Sequence, residues 1–454
     1  MHLFTQNTMS NGKENDTAGM NTERNRSAKA SDVLRLSKGY KQTKLGWIPE
    51  NWKVATLGDL GEFKNGINKG KEDFGFGVPF INLMDVFGKP VLVKSDWELV
   101  NANISEVENY NLKKGDVLFI RSSVKRSGVG LTSIIKEDFP NTVYSGFLIR
   151  YRLEDAFTFD NDFLQYCFNE KNFRKRLIVK SSSSANTNIN QYNLKKLIVA
   201  LPPIPEQQKI ARVLNTWDTA IAAQKKLIAQ KQALKNGLMQ QLLTGKKRFD
   251  GFEEEWEEVR LSEITTLITK GTTPTSLGYK FTTEGVNFIK AESISKFGFI
   301  DILNTPKISS ECNLVLQRSI LRKNDIVFSI AGTLGRTAIV KEKDLPANTN
   351  QALSIIRLKK DTNVEFINFC LNTNSIDKYI LGMVSVGAQP NINLQQVGNI
   401  KINLPSKEEQ IVIVKALKYA ELELFIIKRK LQSLKNQKQG LMQQLLTGEK
   451  RVKI

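Results

Sequence analysis

Histidine is all but missing from this chain: His2 is the only one in 454 residues. That absence excludes Ser-His-Asp triads, zinc proteases and His-ligated metal nucleases. Cysteine is nearly as scarce. Cys167, Cys312 and Cys370 make no Cys-x-x-Cys pair, which excludes a zinc ribbon or a disulfide scaffold. An odd, sparse set of thiols is expected of a reduced, cytoplasmic protein. No apolar run reaches the roughly 18 residues a membrane helix needs. The opening MHLFTQNTMSNGKEND lacks the apolar stretch of a signal peptide. No GxxxxGK[ST] phosphate loop occurs, so ATP hydrolysis is not expected of this chain. An adenine methyltransferase needs an Asn/Asp-Pro-Pro-aromatic segment. Only Leu201-Pro202-Pro203-Ile204 comes near, and leucine cannot accept a hydrogen bond from the target amino group. Acids are the other shortage: 46 against 66 Lys plus Arg, a net charge of +20. Such an excess favours a polyanionic partner, most simply nucleic acid.

What the sequence has is an internal repeat. LMQQLLTGKKR at 238–248 returns as LMQQLLTGEKR at 441–451, an offset of 203. The same offset joins LPPIPEQQ (201–208) to LPSKEEQI (404–411), Cys167 to Cys370, and Ile189-Asn190 to Ile392-Asn393. Further upstream the offset drifts. Trp52 faces Trp256, and KKGDVLFI (113–120) faces RKNDIVFS (322–329). The chain is therefore two copies of a unit of about 200 residues, alike at their ends and divergent in their middles. A Pro-acid…acid-x-Lys nuclease pattern can be forced onto Pro49-Glu50…Glu62-Phe63-Lys64, but the second copy lacks it. Phe74-Gly75-Phe76-Gly77 reads better as a turn than as a cofactor loop.

Each copy has a front and a back. In the front, Lys114-Gly115-Asp116 precedes VLFI and Asn324-Asp325 precedes IVFSI, apolar runs bounded by turn residues that predict strands. A helical piece follows, with Phe163, Cys167 and Phe168 repeated as Phe366, Cys370 and Leu371. Their spacing predicts the cysteines to be small core residues. The back predicts a helix of about 38 residues, or roughly 57 Å. Glu206, Glu408 and Glu409 in the first turns offset the helix dipole. Gly245 and Gly448 are the expected stops. Apolar seams at steps of three and four run through Ile210, Leu214, Trp217, Ile221 and Ile228, then shift to Leu234 and Leu238. In the second copy they run through Leu417, Leu424, Ile427, Leu431 and Leu434, and break at Lys438.

The combined pattern resembles the specificity subunits of type I restriction–modification systems, the HsdS family. The carrying residues are GWIPENWKVATLGDL (46–60), KKGDVLFI, PPIPEQQKIARVL (202–214) and the duplicated LMQQLLTG-x-KR. The resemblance implies an α+β protein: two α/β target-recognition domains in pseudo-twofold arrangement, joined by two long antiparallel coiled-coil helices. The expected divisions are a disordered tail at 1–41, recognition domains at 42–203 and 249–405, and spacer helices at 204–248 and 406–451. It further implies double-stranded DNA and two methyltransferase subunits as partners, with restriction–translocase subunits possible. This chain would bind no cofactor and carry no catalytic centre. S-adenosylmethionine would belong to the methyltransferase and ATP with Mg to the restriction subunit. The acidic FEEEWEEVRLSEI (252–264) departs from the first lead-in and lacks its GWIP. An orphan DNA-binding regulator or a coiled-coil scaffold would share the charge and the helices, but would not need two divergent reading domains.

Candidate DNA contacts are polar, loop-borne and placed alike in both copies. The loop after the GDVLF strand offers Arg121, Ser122, Ser123, Lys125 and Arg126, matched by Ser329, Thr333, Arg336 and Thr337. Arginine suits guanine or phosphate, and hydroxyls suit phosphate or several bases. SSSSANTNIN (181–190) offers Ser183, Asn186 and Asn188, matched by Gln389 and Asn391. Near the front stand Lys64, Asn65, Lys69 and Lys71, with Lys270, Thr272, Thr273 and Lys280 in the second copy. Asn82, Asp85, Lys290 and Glu292 follow short apolar runs and complete the set. The plain alternative at each place is a solvated turn.

Overall fold

The computed structural model describes residues 39–154, 159–183, 186–295, 298–383 and 391–454. Most of the expected tail, and Gln389, lie outside them, and nothing is said of the Ser183 side chain. The chain packs as two compact units. One runs up to Ala223 and takes in Gln432–Ile454; the other is Gln224–Leu431. Tyr40 and Lys41, which composition assigns to the tail, already form the strand Tyr40–Thr43, paired antiparallel with Gly46–Pro49.

In the first unit, strand Val117–Ile120 is buried throughout. It lies in a five-stranded sheet ordered Gly61–Asn65, Leu148–Leu153, Val117–Ile120, Thr132–Ile135, Val91–Leu92. A three-stranded sheet sets Phe74–Ile81 between Val143–Tyr144 and Leu99–Val100. The second unit repeats the design. Its sheet is ordered Thr265–Lys270, Leu353–Leu358, Ile326–Ser329, Thr337–Ile339, and Val286–Ile289 lies between Lys307–Ile308 and Ala347–Thr349.

The turn before each buried strand needs a left-handed residue. Gly115 has φ +94° and Asn324 has φ +69°, the two residue types that tolerate it best. The next residue is a buried aspartate in both units. Asp116 accepts two hydrogen bonds from Arg152, at 2.7 and 2.6 Å, and Asp325 two from Arg357, both at 2.8 Å. These carboxylates keep both arginines above their ordinary range. Cys167 and Cys370 are buried on the helices Asn161–Cys167 and Val364–Leu371, and burial pushes the Cys167 thiol up to about 12. The thiols are core residues, as their spacing predicts.

The two long helices are Ile204–Leu242, 39 residues, and Lys407–Leu446, 40 residues. Ile210, Leu214, Ile221, Leu417 and Leu424 are buried; Trp217, Ile228, Ile427, Leu431 and Leu434 are half-buried. Within each unit the helices run antiparallel. In the first, Asp218 meets Lys438 at 2.6 Å; in the second, Lys235 meets Glu421 and Lys231 meets Glu423. One sequence expectation fails here: Leu234 is exposed and the seam does not shift to it. It continues through Gln224, Ile228, Lys231 and Lys235, because long polar side chains can bury their stems and still reach a partner. Gln224 donates to the Ile427 carbonyl at 3.2 Å. Lys438, which looks like a break, sits over the Tyr166 ring while pairing with Asp218.

The repeated helix ends are built into the cores. In the first unit Leu445 and Leu446 join Trp52, Leu57 and Leu214. In the second, Met239, Leu242 and Leu243 join Leu261, Phe366 and Leu417. Glu206 and Glu409 are fully buried, so they do more than offset a dipole. Glu206 accepts from Trp52 Nε1 at 2.9 Å and from Arg451 Nε and Nη2 at 2.5 and 2.7 Å. Glu409 accepts from Trp256 Nε1 at 3.0 Å and from Arg248 at 3.0 and 2.8 Å. Gly448, with φ +71°, brings the chain back to this point, and a Cβ there would stand 2.3 Å from Pro49.

Candidate nucleic-acid interface

The polar loops that the sequence singles out separately are brought together in the first unit. Strand Ser122–Ser123 pairs with Thr187–Asn188, which pairs with Ser182–Ser183, a three-stranded polar ribbon off the end of the buried VLFI strand. Ile189 donates its amide to the Arg121 carbonyl at 2.9 Å and fixes that junction. Beyond the ribbon Val124, Lys125, Arg126 and Ser127 form an exposed tip. Among the described residues the Arg121 guanidinium is held only by the Gly146 carbonyl, at 3.4 Å, long for a good hydrogen bond. It can turn to a base edge or a phosphate at little cost. Asn188 donates to the Asn186 carbonyl at 3.0 Å.

The second unit uses the same junction. Ile392 donates to the Ile330 carbonyl at 2.9 Å, and Ala331 bridges Asn391. Thr333 and Asn391 are exposed; Arg336 is half-buried, with Nη1 3.3 Å from the Ile294 carbonyl. Two of the candidates here do not face solvent. Ser329 is fully buried, donating to the Thr333 carbonyl and accepting from the Arg336 amide. Thr337 is buried and accepts from Asn372 at 2.6 Å. Both hold the loop in shape instead of reaching a duplex. The sequence pattern hid this because a hydroxyl serves a turn as readily as a ligand.

The front lysines divide the same way. Lys69 forms an ion pair with Glu106 at 2.8 Å, which holds that carboxyl below its usual range. Lys64 donates to Asn109 and lies over the Tyr110 ring. Both brace helix Ile104–Tyr110, while Lys71 is exposed and Asn65 is half-buried in its strand. In the second unit Lys270 and Lys280 are exposed, Thr272 is half-buried, and Thr273 donates to Gln351. Asn82 and Asp85 are a reciprocal capping pair on helix Leu83–Val86, so they are structural. Lys290 covers the Phe281 ring and stands 3.9 Å from Glu292. Gly66 and Gly271 let these front loops close on the sheet: a Cβ would stand 2.2 Å from the Ser145 carbonyl and 1.7 Å from that of Thr349. Among the described residues no group of acids, cysteines and histidine is placed to hold a metal ion.

The arrangement is thus two units that share the order of four sheet strands, each presenting a polar loop cluster at the end of a buried strand, with different residues on it. A family model described as the type I restriction modification DNA specificity domain matches residues 49–231 and again 253–436. The chain belongs to this family. Its two matches cover both repeats, and each match ends inside a long helix. A protein described as a type I restriction enzyme MjaX specificity subunit, from Methanocaldococcus jannaschii, is 27% identical over 431 residues, covering 91% of this chain and 97% of its own. The MjaVIII specificity subunit of the same organism is 23% identical, covering 89% and 94%. The EcoBI specificity subunit of Escherichia coli is 26% identical over 258 residues, covering 52% and 54%. A chain solved in work on complex assembly and conformational transition of the type I R-M system superposes with a TM-score of 0.62 at 17% identity, covering 89% of this chain and 99% of that one. The fold of that chain therefore extends over 89% of this one. No described helix is long and apolar enough to cross a membrane.

Proposed function

We propose that this specificity subunit reads one asymmetric, bipartite duplex sequence, one half per unit, and leaves all bond-making to other chains. The observation that carries the reading is the pairing of one shared strand order with two different loop sets, RSSVKRSG after one buried strand and IAGTLGRT after the other. Each bidentate contact to a base edge discriminates by about 1–3 kcal/mol, so one small domain reads only a few base pairs. Two domains at a set separation read two half-sites at fixed spacing. In this reading the paired helices set that spacing and dock two methyltransferase subunits. The partners bind S-adenosylmethionine and transfer its methyl group to adenine; where a restriction subunit joins, it supplies ATP-driven translocation and cleavage.

Sequencing of methylated adenines in the host is expected to show a split motif that vanishes when this gene is deleted. An unchanged methylome overturns the reading. Methyltransferase subunits are expected to co-purify at about two per copy of this chain; a chain that stays free is a lone regulator instead. Replacing Arg121 by alanine should relax one half of the motif, and Arg336→Ala the other. Each lost bidentate contact is about 1–3 kcal/mol of discrimination, or roughly 5- to 150-fold. Methylation of single-base variants of each half-site measures this, and a loss spread evenly over both halves marks a backbone-steering role.

A further inference from the structure

The two units differ in one respect that half-site reading does not require. In the first, Lys175, Arg176, Lys180 and Lys196 line an open groove of about 360 Å³ together with Val179, Leu197 and Ile198, and most of its exposed lining is apolar. Lys175, Lys180 and Lys196 are exposed, and none forms an ion pair among the described residues. Lys196 instead sits 3.7 Å above the exposed ring of Tyr192 and donates to its hydroxyl. Arg176 donates to the Ile198 carbonyl at 3.2 Å, and its Nε is buried without a partner. Acids on neighbouring elements are already engaged. Glu170 accepts from the Asn172 and Phe173 amides, and Asp59 accepts from Thr56.

The repeat supplies its own control. Across the gapless offset of 203, Lys175, Arg176, Lys180 and Lys196 become Lys378, Tyr379, Met383 and Asn399. The second unit keeps one of the four charges and has Lys401 in place of Ile198, but Lys401 is paired with Glu258 at 2.6 Å, and Tyr379 is tied to the Gln396 carbonyl. A cation needed only to hold this supersecondary structure together would be present in both. The groove is also continuous with the reading loops. Lys180 is two residues before strand Ser182–Ser183 of the polar ribbon, and its carbonyl accepts from Asn193. Arg174, on the same helix Lys171–Val179, donates to the Ser127 carbonyl of the exposed tip at 2.9 Å.

We infer that this groove is a sequence-independent anchor for the phosphate backbone of the duplex beside the half-site read by the first unit, with no counterpart in the second. The inference rests on the half-site reading above and deepens it. Three exposed lysines and a Tyr192 edge suit a run of phosphates, which take point charges and fix register without carrying sequence. Three neutralised phosphates release about 0.9 counterion each, so the groove accounts for roughly 2.7 of the slope of log affinity against log salt.

The test uses the full chain in its complex and a duplex carrying the methylated motif. The triple variant Lys175→Gln, Lys180→Gln, Lys196→Gln is expected to reduce the salt slope by about 2–3 while the methylated motif stays the same. Phosphate ethylation interference should vanish at a few phosphates beside the Arg121-dependent half-site and persist elsewhere. The triple Lys→Arg variant should keep both. Lys378→Gln in the second unit should leave the slope unchanged, where loss of a phosphate contact would lower it by about 0.9. An unchanged slope and footprint overturns the inference, as does an effect spread over both halves. Loss of a protein subunit with DNA affinity intact also overturns it, in favour of an acidic protein face. If the unaltered complex shows no split motif at all, it is the half-site reading that fails.

Discussion

Matched heptads inserted after Ala229 in the first long helix and after Gln432 in the second are expected to lengthen the gap of the recognised motif or to abolish its methylation. Seven residues add about 10.5 Å of helix, close to three base-pair steps at about 3.4 Å each. The pairing inside each unit says why both helices must change together. Asp218 and Lys235 stand 17 residues apart on one helix, and Glu421 and Lys438 stand 17 apart on the other. Asp218 pairs with Lys438 and Lys235 with Glu421. A heptad in one helix alone lengthens only one of these intervals, so one ion pair and the seam beside it must break. With both intervals lengthened, Asp218–Lys438 and Lys235–Glu421 can both re-form and each unit keeps its loop cluster, while the Gln224–Ile427 contact between the insertion points is lost. The half-site sequences should then be unchanged while the number of bases between them grows. Methylome sequencing of a strain carrying the double insertion decides it. A motif of the original spacing at full methylation would end the view of the helices as a ruler.

Much of this was legible in the residues. The duplicated LMQQLLTG-x-KR and the apolar steps of three and four predict two long helices, and helices of 39 and 40 residues are present. GDVLFI and NDIVFS predict strands after turn residues, and both strands occur, with Gly115 and Asn324 left-handed before them. Periodicity failed where polar residues carry a seam. Gln224, Lys231 and Lys235 have the wrong chemistry for an apolar count but the right reach for a partner on the facing helix. Short polar loops were the least legible. Ser122 lies beyond one buried strand and Ser329 is the last residue of its equivalent, so Ser122 pairs in the exposed-tip ribbon while Ser329 is buried under its own loop. The basic groove was missed because Arg174-Lys175-Arg176 reads as a solvated helix face, while Lys180 and Lys196 stand apart from it in the sequence. Subtracting one repeat from the other is the signal that would have found it.

Arg451→Ala is expected to destabilise the first unit by roughly 3 kcal/mol, a fall in its melting temperature of about 6–12 °C, and to leave the second unit near its own value. The cost comes less from the lost attraction than from what remains. Glu206 has no solvent exposure, and without Arg451 its charge keeps, among the described residues, a single side-chain partner, Trp52 Nε1. A buried carboxylate stripped of its cation is costly, whereas a neutral group of the same shape is not. Adding Glu206→Gln to Arg451→Ala should therefore recover part of the loss, since glutamine keeps an acceptor for Trp52 without the charge. Arg248→Ala should do to the second unit, through Glu409 and Trp256, what Arg451→Ala does to the first. Differential scanning calorimetry of the three variants, with proteolysis to assign each transition to its unit, reads the result. A double variant worse than Arg451→Ala alone would mean that the arginine acts through packing and not by neutralising Glu206. The repeated Lys-Arg at the two helix ends would then owe its place to shape instead of charge.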